Sequence, residues 1–172
     1  GVDTILSSAK DFKIETHLDK NMSMSLGSGL VTLIDLANAY GIIANGGKEI
    51  KPNIIKSIYS RNGKKILDNS NKFCNNCKLE MVDINSKLPK IDYTAKEVLD
   101  PKIAYQITSM MEGVIQRGTA RSLKDLKIPL AGKTGTTNDN KDAWFIGYSP
   151  DLVVGVFVGH DTPKNLGYKQ TG

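Results

Sequence analysis

At 172 residues and 18.8 kDa, 40% hydrophobic and 24% charged, the chain suits one folded domain and not a disordered tail. The net charge of +5 comes from lysines spread along the whole length, with arginine only at Arg61, Arg117 and Arg121, which excludes a gathered nucleic-acid-binding surface. Glycines without a period exclude collagen and most solenoids, two cysteines are too few for a disulfide-built scaffold, and no apolar run approaches the roughly 18–20 residues of a membrane helix.

In chain order, Val2, Ile5, Leu6, Ala9 and Phe12 have helical spacing, and a loop follows to Leu26-Gly27-Ser28-Gly29. No leader of basic, apolar and small residues precedes them, so any targeting segment is expected outside this sequence. Thr32, with Asp35 three residues on, reads as an N-cap and an approximate capping box. Leu33, Ile34, Leu36, Ala37, Tyr40, Ile43 and Ala44 then make an amphipathic helix, stopped by Asn45-Gly46-Gly47. Two short runs at 54–59 and 64–67, around Arg61-Asn62-Gly63, read as a hairpin. From about 68 to 99 the chain turns polar and reads as an irregular insertion. Asp100-Pro101 restarts order as a cap and first helical residue, and Ile103, Ile107, Met110, Met111, Val114 and Ile115 continue one face to Gly118. Ile128–Thr136, Ala143–Tyr148 and Leu152–Gly159 read as an antiparallel meander, with Trp144 and Phe145 expected in the core. Helices ahead of such a meander predict an α+β layer structure, with helices packed on an antiparallel sheet.

The chemistry concentrates near the end of the first of these strands. Gly132-Lys133-Thr134 is not a phosphate-binding P-loop: Lys127 stands where the first glycine belongs, and a strand, not a helix, is expected to follow. Lys133-Thr134-Gly135-Thr136 fits an acyl donor that ends in a carboxylate. Glycine on a strand edge lets a substrate backbone approach, hydroxyls and an ammonium meet the anion, and a strand N–H can donate to an oxyanion. The bland alternative for Lys133 is a lysine that protects an edge strand from aggregation.

The surrounding text narrows this. Met24–Tyr40 with Ala44-Asn-Gly-Gly47, then Arg117-Gly-Thr-Ala-Arg121, then Ala131–Asp139 running into Asp142–Pro150 and Val153–Gly159, resemble in order the transpeptidase domain of the class A (bifunctional) penicillin-binding proteins. The resemblance spans most of residues 1–172 outside the insertion and identifies the chain as the C-terminal portion of such a domain, incomplete here. It implies the penicillin-binding/β-lactamase-like fold, cross-linking of peptidoglycan stem peptides through a serine acyl-enzyme, binding of β-lactam antibiotics, and no cofactor or metal. It also implies that Thr134 and Thr136, with Gly135, hold the donor, that the Thr136 N–H joins the oxyanion hole, and that Lys133 shapes the local field. The rest of the domain and a glycosyltransferase domain are expected upstream. The implied location is the extracytoplasmic (periplasmic) face of the bacterial inner membrane, with the anchor outside this sequence.

The family pairs its Lys-Thr-Gly with an S-x-x-K nucleophile and an S-x-N motif, and both have look-alikes here. Ser7-Ser-Ala-Lys10 falls inside a helical pattern, whereas a nucleophile belongs at a helix N-terminus, where its N–H is free. Ser60-Arg-Asn62 reads as a hairpin turn and follows the Leu26–Gly47 block, which in the family comes after S-x-N. The nucleophile is therefore expected outside this sequence and the isolated chain is expected to be inactive. Alternatives are a carboxypeptidase or β-lactamase of the same fold, in which water takes the acyl group, or a non-catalytic peptidoglycan-binding or scaffold module. Cys74-Asn-Asn-Cys77 is open to three readings: a disulfide, favoured by the implied compartment, no special role, or half of a metal site that lacks its other ligands. His160-Asp161 reads as a strand-end pair. Thr119 reads either as a helix-end residue or as part of a cleft wall, and the sequence does not separate the two.

Overall fold

The computed structural model describes residues 1–69, the backbone of 72–75 and 90–93, and residues 95–167. The chain divides into two compact units, Gly1–Ile50 with Glu97–Gly172, and Lys51–Lys96. In the first unit α1 covers Val2–Asp11, and a 3₁₀ turn at Met22–Leu26 follows, where a plain loop is expected. Asn21 makes that turn: its side-chain oxygen accepts from the Met24 N–H at 3.2 Å and from the Ser23 hydroxyl at 2.6 Å. Helix α2 (Leu33–Ala44) begins where the cap predicts, the Thr32 hydroxyl accepting from the Asp35 N–H at 3.1 Å. The Asp35 carboxylate does not close the box. It accepts from the Thr16 hydroxyl at 3.0 Å and so ties the preceding segment to the helix.

Helix α3 (Pro101–Arg117) is capped by Asp100, whose carboxylate accepts from the Lys102 N–H at 2.7 Å. Both helices meet the sheet on faces shifted from those the spacing predicts. In α2 the buried residues are Asn38, Ala39, Gly41 and Ile42, while Ile34 lies exposed. Leu33–Ala44 is apolar almost all round, so spacing alone cannot choose its inner side, and small residues decide it by allowing close approach. In α3 the buried set is Ala104, Met111, Gly113 and Ile115, and Ile103 and Met110 fall on an exposed flank.

Three antiparallel strands follow, β5 (Ala131–Thr136), β6 (Asp142–Tyr148) and β7 (Val153–Gly159), in the order β5-β6-β7; the four earlier strands belong to the second unit below. The register pairs Lys133 with Ile146, Thr134 with Phe145 and Gly135 with Trp144 on one side of β6, and Trp144 with Phe157 and Ile146 with Gly155 on the other. Helix α3 packs on β5, and α2 packs on β6 and β7. Ala131, Tyr148 and Met111 form the buried centre, with Tyr40, Ile43, Ile107 and Val153 around it. Tyr148 is 5% exposed and its hydroxyl meets the Thr108 hydroxyl at 2.9 Å. Thr108 spends its own hydrogen on the Ala104 carbonyl, at 2.9 Å, so Tyr148 is the donor of the pair. Trp144 and Phe145 are half-buried, and the fully buried side chains of β6 are Ile146 and Tyr148. Trp144 leans on Phe157 with ring centroids 4.7 Å apart. The Phe145 ring lies over Gly132 and Gly147, where any β-carbon would strike it.

In the second unit β1 (Ser57–Tyr59) and β2 (Lys65–Asp68) form the expected hairpin, with Gly63 at φ +76° in its turn. The polar stretch is not wholly irregular: β3 (Lys72–Asn75) pairs antiparallel with β4 (Lys90–Tyr93). The compact unit also starts earlier than the expected insertion, at Lys51, and takes in the hairpin. Cys77 lies outside the described residues and nothing describes the Cys74 side chain, so the expected pairing lies outside them too.

Candidate active site

The Lys133–Thr136 segment is the second half of β5, an edge strand of its sheet among the described residues. Alternation along β5 puts Ala131, Lys133 and Gly135 on the helix-covered side and Gly132, Thr134 and Thr136 on the other. Burial falls along the strand: Ala131 and Gly132 are buried, Thr134 and Gly135 half-buried, Lys133 and Thr136 exposed. The strand is thus anchored at its start and open at the end that carries the polar groups. The Lys133 ammonium donates to the Thr134 carbonyl at 2.5 Å, curling back onto its own strand. The Thr134 hydroxyl lies 2.8 Å from the Thr119 hydroxyl, which follows the end of α3. A β-carbon on Gly135 would sit 3.3 Å from that of Trp144, tighter than ordinary packing.

The arrangement offers a hydroxyl, an ammonium and an exposed strand end to an extended ligand with a negative terminus. Two cavities of the fold do not include it. One of about 450 Å³ lies beside α1, lined by Leu6, Ala9, Lys10 and Thr16 among others, and a smaller one lies at the opposite end of β5, beside Ala131, Thr108 and Tyr148. Neither touches Lys133–Thr136.

The sequence look-alikes sit elsewhere. Ser7 is exposed and is the sixth residue of the ten-residue α1, beyond the first turn whose N–H groups are free. Ser60 is in the β1–β2 turn: its hydroxyl accepts from the Lys64 N–H at 3.1 Å and its carbonyl from the Gly63 N–H at 3.0 Å. His160 is exposed just past β7. Among the described residues no group of three or more His, Cys, Asp or Glu side chains is placed to hold a metal. Thr119 is the residue that sequence reading left undecided. Its only signal is its place in the Arg117–Arg121 block, and the fold brings it onto Thr134.

The α+β unit with its Lys-Thr-Gly edge strand agrees with the family that the sequence resembles. Residues 5–172 match the family model "Penicillin binding protein transpeptidase domain", and the chain belongs to that family. It is 46% identical, over its whole length, to penicillin-binding protein 1A of Rickettsia bellii, of which it spans 22%. Among solved structures it resembles penicillin-binding protein 1A of Haemophilus influenzae, with a TM-score of 0.78 and 27% identity over 100% of this chain and 28% of that one. It also resembles PonA1 of Mycobacterium tuberculosis solved with penicillin V, with a TM-score of 0.62 and 25% identity over 88% of this chain and 39% of that one. The chain therefore spans about a fifth of the length of the curated relatives it matches.

Proposed function

We propose that this chain is the C-terminal portion of the transpeptidase domain of a bifunctional penicillin-binding protein, and that β5 forms one wall of its acylation cleft. The observation that carries the reading is the edge position of Lys133–Thr136, with the polar groups at the open end of the strand. In the longer protein a serine outside these residues attacks the penultimate D-Ala carbonyl of a stem peptide and expels the terminal D-Ala. It then passes the acyl group to an amine of a second stem peptide. The covalent intermediate splits one difficult step into two and needs no metal or organic cofactor. Thr134 and Thr136 hold the donor carboxylate, the Thr136 N–H donates to the oxyanion, and the Lys133 ammonium leaves the Thr134 carbonyl to face the nucleophile. A β-lactam, which also presents a carboxylate beside a reactive carbonyl, enters by the same contacts, in keeping with the penicillin V complex of PonA1. The reaction lies on the extracytoplasmic side of the inner membrane. The described residues hold no helix long and apolar enough to cross a membrane, and the reading assigns an anchor and a glycosyltransferase domain to the rest of the protein.

The test is acylation of the intact protein by a penicillin. Lys133→Ala and Thr134→Val each remove a charge-assisted contact, typically about 1.5–3 kcal/mol, which corresponds to roughly one to two decades in acylation rate. Unfolding midpoints should move far less, because neither side chain is buried. Unchanged acylation in both variants would remove β5 from the cleft.

A further inference from the structure

We infer that Thr119 is a positioning residue of this cleft: its hydroxyl fixes the direction of the Thr134 O–H and turns that hydrogen toward the carboxylate of the acyl donor. The inference rests on the reading of β5 as the cleft wall.

Thr119 is held from both sides. The Gly118 and Ala120 N–H groups both donate to the Val114 carbonyl, at 3.1 and 3.2 Å, and Ala120 is 4% exposed. The chain doubles back so closely at Gly118 that a β-carbon there would lie 2.7 Å from the Val114 Cα. Only glycine permits the turn, and the turn presents the Thr119 hydroxyl to Thr134 at 2.8 Å. The contact joins residues 15 apart in sequence, one after α3 and one on the edge strand.

Each hydroxyl owns one hydrogen and can accept as well. The pair consumes one hydrogen and leaves the other to point outward, from either oxygen. A carboxylate can only accept, so a donor bound at Thr134 requires the Thr134 O–H to point outward. Thr119 must then donate to Thr134. In that order each bond polarises the next, and the outward hydroxyl becomes a stronger and better aimed donor. Without the neighbour, the Thr134 hydroxyl rotates among its staggered positions and must be ordered when the ligand binds. A role in stability alone explains the contact poorly, since water can replace a hydrogen bond between two accessible hydroxyls.

The experiment measures second-order acylation of the intact protein by a penicillin with its free carboxylate and by the methyl ester of the same penicillin. Thr119→Val, which keeps the shape and removes the hydroxyl, is expected to slow the free-acid reaction about three- to tenfold. Its rate with the ester should match that of the unchanged protein. Thr119→Ser should bring the free-acid rate back toward the original. The double variant Thr119→Val/Thr134→Val should be no slower than Thr134→Val alone, because Thr119 acts through Thr134. The inference is overturned if Thr119→Val slows acid and ester alike, if the two substitutions multiply, or if Thr134→Val slows acylation while Thr119→Val does not. If Lys133→Ala and Thr134→Val both leave acylation unchanged, it is the cleft reading itself that fails, and Thr119 falls with it.

Discussion

Gly46 and Gly47 end α2 with left-handed backbone, at φ +65° and +87°, yet their surroundings differ completely. Nothing lies within 4 Å of where a Gly46 β-carbon would be. At Gly47 the same atom would fall 2.0 Å from the Leu99 carbonyl oxygen, inside any contact distance. The crossing is held by the Gly47 carbonyl, which accepts from the Val98 N–H at 2.8 Å and the Leu99 N–H at 3.0 Å. Gly46→Ala should therefore cost only the left-handed strain, about 1–2 kcal/mol. Gly47→Ala adds the displacement of Leu99, and losing the two hydrogen bonds from the Val98 and Leu99 N–H groups costs about 1 kcal/mol each, for a total of about 3–4 kcal/mol. Leu99 immediately precedes the Asp100 cap, so the displacement should also loosen the start of α3. Urea unfolding of the intact domain, followed by circular dichroism, reads the difference as two midpoints. Equal destabilisation by the two alanines would refute the reasoning, because it would show that Leu99 yields freely.

Burial raises the Tyr40 and Tyr148 pKa values above the ordinary phenol value of 10.0, so both groups favour the neutral form in the fold. The stability they contribute is complete below about pH 10 and is lost as pH rises through their folded-state values. Tyr40→Phe and Tyr148→Phe should each flatten the alkaline loss seen in denaturant midpoints measured from pH 8 to above about pH 10, and unchanged slopes in both would contradict it. The isolated chain, checked for folding by circular dichroism, should form no adduct with a fluorescent penicillin, since Ser7 is mid-helix, beyond the first turn whose N–H groups are free. A stoichiometric adduct on Ser7, found by mass spectrometry, would restore Ser7-Ser-Ala-Lys10 as a nucleophile motif.

The caps and stops of this fold are written locally and were legible. Thr32, Asp100-Pro101 and Gly46-Gly47 act through neighbours within a few residues, and the structure places the boundaries of α2 and α3 on them. The meander was legible for the same reason, since each strand pairs with its sequence neighbour. Which side of each helix turns inward was not. In α2 an almost wholly apolar surface hides the answer, and in α3 Ala104 and Gly113 win burial over Ile103 and Met110 because sheet contact rewards closeness over bulk. Strands β3 and β4 were illegible because each is only four residues long and fourteen residues separate them, and backbone pairing leaves little mark on composition. At the site, residue identity gave Lys133–Thr136, but only the fold brings Thr119 to Thr134.

The order of elements also governs how this unit is made. Helices α2 and α3 precede every strand of the sheet they pack against. At a synthesis rate of roughly 5–20 residues per second, the ~126 residues from Leu33 to Gly159 take about 6–25 s to appear. For that interval Ile42, and from the synthesis of α3 onward Met111 and Ile115, all buried in the finished unit, have no finished sheet to cover them. The meander itself closes quickly once made, because its contacts are local. The vulnerable species is thus a chain stalled before β7, with the apolar faces of two helices beside an unfinished sheet. Substitutions that delay the β6–β7 turn at Ser149–Leu152, where the Ser149 N–H donates to the Leu152 carbonyl at 2.9 Å, should lower the yield of folded protein far more than its final stability.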